Sequence, residues 1–332
     1  MQRNIIVDAM RILGLLLIIL AHVQPPSIVF QLRTFDVPMM VFVSGMAYYC
    51  SGKVGVKFIP YSISRFTRLV FPVWVFLLIF FACVFIFKPL YFLDLLTLKN
   101  MVSTFLLGGF GYVWIIKVFL IIAICSPLYV RFVQNKNGYS VAFITLAMLL
   151  FSFIIFQISL SFHYRFLAHF LSDLFFPAIV YGAVFILGYK VLSFNLKESG
   201  FIFVLYLITF VICFISAYFV FGKFVGPQYF KYPPSIFYIS YSLVAIFLVK
   251  WFFELTINTC NLPFVFKFIS SNTIWIYLWH IPIVEYFHRY NVDVNFIFKY
   301  AIAVVLPVAI TFIQVFWVKK TGSATLNKIF TG

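Results

Sequence analysis

The sequence predicts an all-α membrane protein, a polytopic bundle of about ten transmembrane helices with both termini in the cytoplasm. Hydrophobic residues make up 64% of the chain and charged residues only 10%, and the mean hydropathy is +1.10. Apolar runs repeatedly reach the length of a bilayer crossing, and basic residues concentrate in alternate segments between these runs. This combination excludes a soluble globular protein.

Apolar runs bounded by proline, glycine, asparagine and charged residues mark the individual spans. No segment between them is long enough for an independent soluble domain, so the sequence predicts a single membrane-embedded domain over residues 1–332. The second span contains Pro38, Ser44 and Gly45, where a broken helix that lines a cavity is expected. The ten predicted spans lie near residues 5–24, 36–51, 68–87, 112–131, 140–160, 170–189, 200–221, 235–253, 271–287 and 296–318.

The formal net charge of +16 comes from basic residues spread over short loops. Basic residues are more frequent in the segments predicted to lie on the same side of the membrane as the N-terminus. The positive-inside rule then places both termini in the cytoplasm. Because no dense basic run is present, contacts with anionic lipid headgroups are expected rather than binding to nucleic acid. The five cysteines lack the spacing of a metal site, and no metal is expected.

The first span carries three costly polar residues, Asp8, Arg11 and His22. In a helix, Arg11 and His22 are separated by about 20° in azimuth and roughly 16 Å along the axis, so they share one stripe with Asp8. Imidazole suits proton transfer near neutral pH, which makes His22 a candidate general base or acid, with Arg11 holding an anionic group. Alternatively, Asp8 and Arg11 form an ion pair and His22 lies at the far interface.

Asp36 and a pair of arginines are the next polar groups. Asp36 begins the second span on the side of His22, so it either pairs with that histidine or interacts with the dipole of its own helix. Arg65 and Arg68 share one helix face on the cytoplasmic side. They are either topology anchors or a phosphate-binding pair, because guanidinium groups match the phosphates of a nucleotide-type donor.

Together these segments resemble the acyltransferase-3 family of integral membrane O-acyltransferases, which includes acetylases of O-antigen and other polysaccharides. The matching patterns are Asp-x-x-Arg-x10-His in the first helix, Pro-x-x-x-Phe-x-Ser-Gly in the second, and Arg-x-x-Arg before a third helix with Pro72. Residues 112–115, Tyr-Val-Trp-Ile, are similar to the aromatic opening of the family's fourth helix. Residues 270–280, which end in Tyr-Leu-Trp-His, resemble its late Ser-x-x-Ile-Tyr-Leu-x-His segment.

The resemblance implies an acyltransferase with acetyl-CoA as the donor and a saccharide hydroxyl as the acceptor. His22 would be catalytic, either as a base or as a covalent acyl carrier, with Arg11 alongside. Asp8 is expected to position Arg11. Arg65 and Arg68 would bind acetyl-CoA.

Other polar and aromatic residues are assigned smaller roles. Asp36, Ser44 and His280 are candidates for a supporting or acceptor-binding role, although His280 is equally well interpreted as a histidine hydrogen-bonded inside the bundle. The remaining outer polar residues are interpreted mainly as solvated loop, and several aromatic residues as an interfacial belt. The outer polar residues are His163, Arg165, His169, Glu285, His288 and Arg289, and the belt residues are Tyr229, Trp275, Trp279 and Tyr286.

The sequence therefore predicts an enzyme of the bacterial inner membrane that acetylates a lipid-linked or cell-surface saccharide. Alternatives from other classes are a lipid-linked saccharide transporter, in which the basic groups guide a pyrophosphate, and a saccharide polymerase. A transporter is expected to show repeat symmetry, and a polymerase is expected to carry a large extracytoplasmic loop. Neither feature is evident in the sequence.

Overall fold

The fold is built from helices. A computed structural model describes residues 3–53, 55–109, 111–159, 169–257 and 263–331, and these ranges contain no strand, so the all-α prediction is confirmed. Short 3-10 or π-helical segments join or interrupt several of the helices. The α-helices are Ile5–Ala21, Ser27–Leu32, Asp36–Cys50, Phe58–Phe87, Leu98–Phe105, Trp114–Val133, Gly138–Ser159, Gly182–Lys190, Leu196–Phe221, Ile236–Thr256, Phe264–Ser271, Thr273–Arg289, Phe296–Lys320 and Ala324–Phe330.

Eight segments of the described chain are long and apolar enough to cross a membrane. They coincide with eight of the ten predicted spans. The first and ninth predicted spans coincide with Ile5–Ala21 and Thr273–Arg289, which have 17 residues each. The number ten and the cytoplasmic termini stay predictions. The eight segments are Ser27–Cys50, Phe58–Phe87, Trp114–Val133, Gly138–Ser159, Leu171–Ser193, Leu196–Phe221, Ile236–Thr256 and Phe296–Lys320.

The second and third spans differ in detail from the prediction. The expected break in the second span is wrong, because helix Asp36–Cys50 continues through Ser44. Its proline, Pro38, lies in the first turn, where a missing N–H removes no intrahelical hydrogen bond. The third-span helix begins at Phe58 instead of near residue 68. Hydropathy marks only the apolar part of a helix, so the predicted span left out the amphipathic turns that precede it, although the arginine pair was expected on a helix face.

The chain divides into two compact units, each assembled from three separate segments. The first helix supplies residues to both units, and so does the third-span helix. Each unit therefore has contacts between segments that are far apart in the sequence. The first unit comprises Met1–Gly14, Ser27–Phe58 and Ile121–Asn261, and the second unit comprises Leu15–Pro26, Ile59–Leu120 and Leu262–Gly332.

The core of the first unit depends on close contact between the second-span helix and helix Gly182–Lys190. A Cβ added at Gly188 would lie 2.0 Å from the carbonyl oxygen of Phe42, and one added at Gly45 would lie 2.3 Å from that of Phe185. Membrane helices use such small residues because lipid provides no hydrophobic drive between helices, and close backbone packing replaces it. Gly45 of the Ser-Gly motif therefore has a packing role.

In the second unit, the C-terminal segment packs against helix Thr273–Arg289. The Trp275 side chain is fully buried, and its ring stacks on Phe330 with a centroid distance of 5.2 Å. Its indole N–H donates to the carbonyl of Ile329 at 2.9 Å. The interpretation of Trp275 as an interfacial residue is therefore wrong, because both its ring and its polar atom are engaged inside this unit.

We expect Gly188→Ala to destabilise the protein, because the added methyl group meets a rigid backbone carbonyl; overpacking of this kind costs roughly 1–3 kcal/mol or more. Gly200→Ala is the matched control, because Gly200 lies in helix Leu196–Phe221 with open space at its Cβ position. Thermal melting of the purified full-length proteins in detergent measures both changes. Equal melting temperatures for the two variants would contradict the packing argument.

Candidate functional site

The candidate site begins with His22, at the end of the first helix. Helix Ile5–Ala21 ends one residue earlier, and the His22 N–H donates to the Ile19 carbonyl at 3.0 Å. Gln24 adopts a positive φ of 56°, which is uncommon outside glycine, and two prolines follow it. His22 therefore lies in a turn that directly follows the helix, and its side chain is half-buried.

A second histidine lies against His22. His280, in helix Thr273–Arg289, is fully buried, and its ring centroid is 5.4 Å from that of His22. The Tyr112 ring lies 4.7 Å from the His22 ring and 6.1 Å from the His280 ring. All three residues belong to the second unit, and we call them the histidine cluster. The structure therefore brings together two of the sequence-predicted residues, His22 and His280.

The hydrogen bonding of His280 defines its tautomer. Its Nδ1–H group donates to the carbonyl of Tyr277, one turn earlier in the same helix. The other ring nitrogen, Nε2, then carries a lone pair. In the part of the chain that the structure describes, Nε2 is buried without a hydrogen-bond partner. Such a group costs about 1–3 kcal/mol and points to a catalytic role or another special function.

Two tyrosines hold the histidine cluster together. The Tyr277 hydroxyl donates to the Tyr112 carbonyl at 2.5 Å. Tyr112 lies just before the spanning helix Trp114–Val133. Its hydroxyl is hydrogen-bonded to the Glu285 carboxylate. Burial and the neighbouring Glu285 charge raise the pKa of the Tyr112 hydroxyl, so the phenol keeps its proton and is the donor. The main chain and side chain of Tyr112 are thus both fixed by helix Thr273–Arg289.

Glu285 extends this polar network to the end of its helix. Arg289, one turn further, donates from Nε to Glu285 at 2.5 Å and from Nη1 to Asp94 at 2.6 Å. Nη1 also donates to the carbonyl of Tyr91. The Arg289 side chain is 21% exposed and the Asp94 side chain is 61% exposed. A continuous set of polar contacts therefore joins Tyr112 to the surface of the second unit.

His288 attaches the turn that holds His22 to the same helix. The Nε2–H group of His288 donates to the His22 carbonyl at 2.9 Å. The Gln24 amide then donates to Nδ1 of His288, over 3.3 Å. One neutral tautomer of His288 satisfies both bonds. The backbone of His22 is therefore positioned by the helix that carries His280.

Asp8 and Arg11 are paired on the first helix. Asp8 is 3% exposed and forms ion pairs with Arg3 and Arg11, the latter at 3.7 Å between Nη1 and Oδ1. This is the ion pair considered from the sequence, and it fits the expectation that Asp8 positions Arg11. Both residues belong to the first unit, whereas His22 belongs to the second. A catalytic role for Arg11 stays a prediction.

Asp36 lies between two cations. Its Oδ2 atom accepts from Nη1 of Arg33 at 2.6 Å, and its Oδ1 atom accepts from Nζ of Lys231 at 3.2 Å. The three side chains are at most 5% exposed. Burial lowers the pKa of Lys231, and the Asp36 charge opposes that shift. Asp36 is also the first residue of its helix, which favours its interpretation as a helix N-terminal acid. Its ion pairs with Arg33 and Lys231 are a further role that the sequence did not indicate.

The predicted donor-binding arginines lie on the third-span helix. The guanidinium of Arg65 is 4.9 Å from the centre of the Tyr61 ring, and Arg68, one turn further, is exposed. Neither arginine forms an ion pair with a carboxylate among the described residues, so both charges remain available to an anionic ligand. Ser44 donates its hydroxyl to the Val41 carbonyl in its own helix at 2.6 Å. The binding roles of these three predicted residues stay predictions.

Tyr112 and Glu285 are two members of this site whose roles were not predicted from the sequence. Glu285 is one of only eight acidic residues in the chain and lies four residues before Arg289. This i,i+4 spacing on a predicted helix is the signal that could have indicated the Glu285–Arg289 ion pair. His163 and Arg165 lie outside the described residues. Within the described ranges, no three His, Cys, Asp or Glu side chains converge as a metal site requires.

Comparison with known proteins gives one family match. Residues 4–316 match the family model acyltransferase 3, which is described as an acyltransferase domain. The match covers most of the chain and includes every motif that carries the resemblance. No curated protein and no solved structure matches the chain.

We expect Asp36→Asn to lower the free energy of unfolding by about 3–5 kcal/mol, because it leaves Arg33 and Lys231 buried without their counter-charge. The measurement is the thermal melting midpoint of the purified protein. Asp293→Asn is the control, because it removes the same charge from an exposed position. If both variants melt at the wild-type temperature, the ion-pair cluster does not stabilise the fold.

Proposed function

The chain belongs to the acyltransferase-3 family and is a membrane O-acyltransferase, and from this premise we propose that it transfers acetyl from cytoplasmic acetyl-CoA to a saccharide hydroxyl. The acceptor would be a lipid-linked or cell-surface saccharide, and the location would be the bacterial inner membrane. The observation that carries the proposal is the pair of imidazoles, His22 and His280, whose ring centroids lie 5.4 Å apart. Imidazole is the side chain best suited to move protons in acyl transfer near neutral pH.

In the direct mechanism, His22 acts as a general base. A ring nitrogen of His22 takes the proton of the acceptor hydroxyl while the acceptor oxygen attacks the thioester carbonyl. The tetrahedral intermediate then collapses, the carbon–sulfur bond breaks, and the imidazolium of His22 returns the proton to the departing thiolate. The products are an acetyl ester and the thiol of CoA, and no proton is gained or lost overall.

His280 supports either of two routes through the cluster. In the direct route, its unprotonated Nε2 atom stabilises the proton held by the neighbouring imidazolium. In a two-step route, His22 attacks the thioester and becomes N-acetylated, and the CoA thiolate leaves. His280 then removes the proton from the acceptor hydroxyl as the acceptor oxygen takes the acetyl group from His22, and the proton passes from the His280 imidazolium to the CoA thiolate, which leaves both histidines neutral. Both routes use His22 first, and both depend on the placement of His280.

The charged groups of the donor require cations at the cytoplasmic side. Arg65 and Arg68 fit this role because they lie one turn apart and have no carboxylate partner in the described chain. Guanidinium groups bind phosphate oxygens through paired N–H donors. Arg11, held by Asp8 at the cytoplasmic end of the first helix, keeps its predicted role of holding an anionic group there.

We expect His22→Ala to reduce acetyl transfer by roughly 100- to 10,000-fold, because that is the usual contribution of a positioned general base. The test expresses wild type and variant in cells that lack the gene and measures the acetyl increment of the surface glycan by mass spectrometry. His169→Ala is the control, because His169 is an exposed histidine in the first unit. An increment that persists in a folded His22→Ala protein would remove His22 from the mechanism, and the absence of an increment in wild type would contradict the acetylase proposal.

We expect Arg65→Met and Arg68→Met to raise KM for acetyl-CoA by roughly 10- to 100-fold, because each loses charge-assisted hydrogen bonds to phosphate. Acetyl-pantetheine, which lacks the phosphates, should show the same KM with wild type and variants. Lys319→Met serves as the control, because it removes an exposed positive charge from another helix end. If the variants lose acetyl-pantetheine and acetyl-CoA equally, the arginines do not recognise the charged end of the donor.

A further inference from the structure

Exposed tyrosines gather at the end of helix Thr273–Arg289. Tyr91, Tyr286 and Tyr290 are 52%, 50% and 37% exposed. The Tyr290 ring makes an edge-to-face contact with Tyr91 at a centroid distance of 4.9 Å and lies 4.7 Å from the Tyr286 ring. With Asp94 and Arg289 they form one surface of the second unit, which we call the tyrosine patch. Packing between its members fixes the rings, although each side chain remains partly exposed.

The polar part of the patch has unused hydrogen-bonding capacity. Arg289 uses Nε and Nη1 for Glu285, Asp94 and the Tyr91 carbonyl. Its Nη2 group has no hydrogen-bond partner among the described residues, and the same holds for Oδ2 of Asp94. One partly exposed ion pair therefore keeps both a hydrogen-bond donor and a hydrogen-bond acceptor for a ligand. Neighbouring hydroxyls of a sugar ring, each both donor and acceptor, match this arrangement.

The charge of the patch argues against a phosphate or another anionic ligand. Asp94 and Glu285 carry two negative charges against the single positive charge of Arg289, and Arg289 is already engaged with both carboxylates. An anion at the remaining Nη2 group would lie close to these two carboxylates, which repel it. A neutral polyhydroxyl ligand keeps both ion pairs and adds contacts. Its C–H groups can also pack on the electron-rich faces of the tyrosine rings.

The patch is connected to the histidine cluster through two sets of contacts. Glu285, which accepts from Arg289, is hydrogen-bonded to the hydroxyl of Tyr112. His288, the residue before Arg289, donates to the carbonyl of His22. On the predicted topology, the patch faces the extracytoplasmic side, where a surface-destined saccharide is presented.

We propose that the tyrosine patch is a saccharide-binding subsite that holds a neutral sugar ring of the acceptor beside the histidine cluster. This inference rests on the proposed acetyltransferase function and adds the location and the chemistry of acceptor recognition. The tyrosine rings stack on one face of the sugar, and Asp94 and Arg289 hydrogen-bond its hydroxyls. The role first assigned to Tyr286, that of an interfacial belt residue, requires only an aromatic ring. It does not explain the ion pairs beside the rings or the unused Nη2 of Arg289 and Oδ2 of Asp94.

Direct binding tests the subsite without relying on catalysis. The full-length protein in phosphatidylcholine nanodiscs is mixed with the methyl glycosides of glucose, galactose, mannose, rhamnose and N-acetylglucosamine, and saturation-transfer NMR measures binding. We expect at least one glycoside to bind to wild type. Tyr290→Ala and Asp94→Asn should each weaken binding roughly five- to tenfold through lost ring contact or a lost acceptor, and Tyr290→Phe should retain it.

Tyr229→Ala is the matched control, because Tyr229 is 65% exposed on a turn of the first unit and should bind as wild type does. Binding of none of the glycosides to wild type, or equal binding to wild type and Tyr290→Ala, would overturn the subsite. Binding by a wild-type protein that transfers no acetyl would overturn the proposed acetylase function and leave the subsite supported.

Discussion

The hydrogen bond from the Tyr277 hydroxyl to the Tyr112 carbonyl joins segments 165 residues apart in the chain. The carbonyl of Tyr277 accepts from His280, and the ring of Tyr112 lies against His22. The Tyr277 side chain thereby fixes the segment of Tyr112, whose ring packs on His22, to the helix that carries His280. Inside an apolar bundle this bond is stronger than in water, and a group that loses it has no solvent to replace its partner. The placement of the two imidazoles depends on this interaction.

Asp36 and His280 are two buried side chains that differ in how fully their hydrogen-bonding atoms are satisfied. In the first unit, both carboxylate oxygens of Asp36 accept hydrogen bonds from buried cations, Arg33 and Lys231. In the second unit, Nε2 of His280 is buried without a hydrogen-bond partner among the residues that the structure describes. A carboxylate that accepts from a cation at each oxygen is fixed in geometry, whereas an unsatisfied base keeps the capacity to accept a proton. The ion pairs of Asp36 are therefore suited to stabilising the fold, whereas the histidine cluster is suited to proton transfer.

Hydropathy predicted where the spans lie because it measures the property that a bilayer selects. It missed the helix start at Phe58, whose first turns are amphipathic, and the break expected beside Gly45 was wrong because that glycine serves close packing. The motif resemblance indicated His22 and His280 separately. Their contact with each other and with Tyr112 could not be predicted from spacing, because these residues meet only through packing between distant segments.

The first helix constrains how a cytoplasmic donor can reach His22. Residues 12–21, between Arg11 and His22, are all apolar or small, so this helix offers no side chain that could carry a proton or an acetyl group over roughly 16 Å. A relay needs successive bases within hydrogen-bonding reach, and His280, with its ring centroid 5.4 Å from that of His22, supplies one base and not a series of them. We therefore favour insertion of the extended pantetheine arm, with the arginine pair holding its charged end. Insertion brings the thioester itself to the histidine cluster, where the tyrosine patch presents the acceptor hydroxyl.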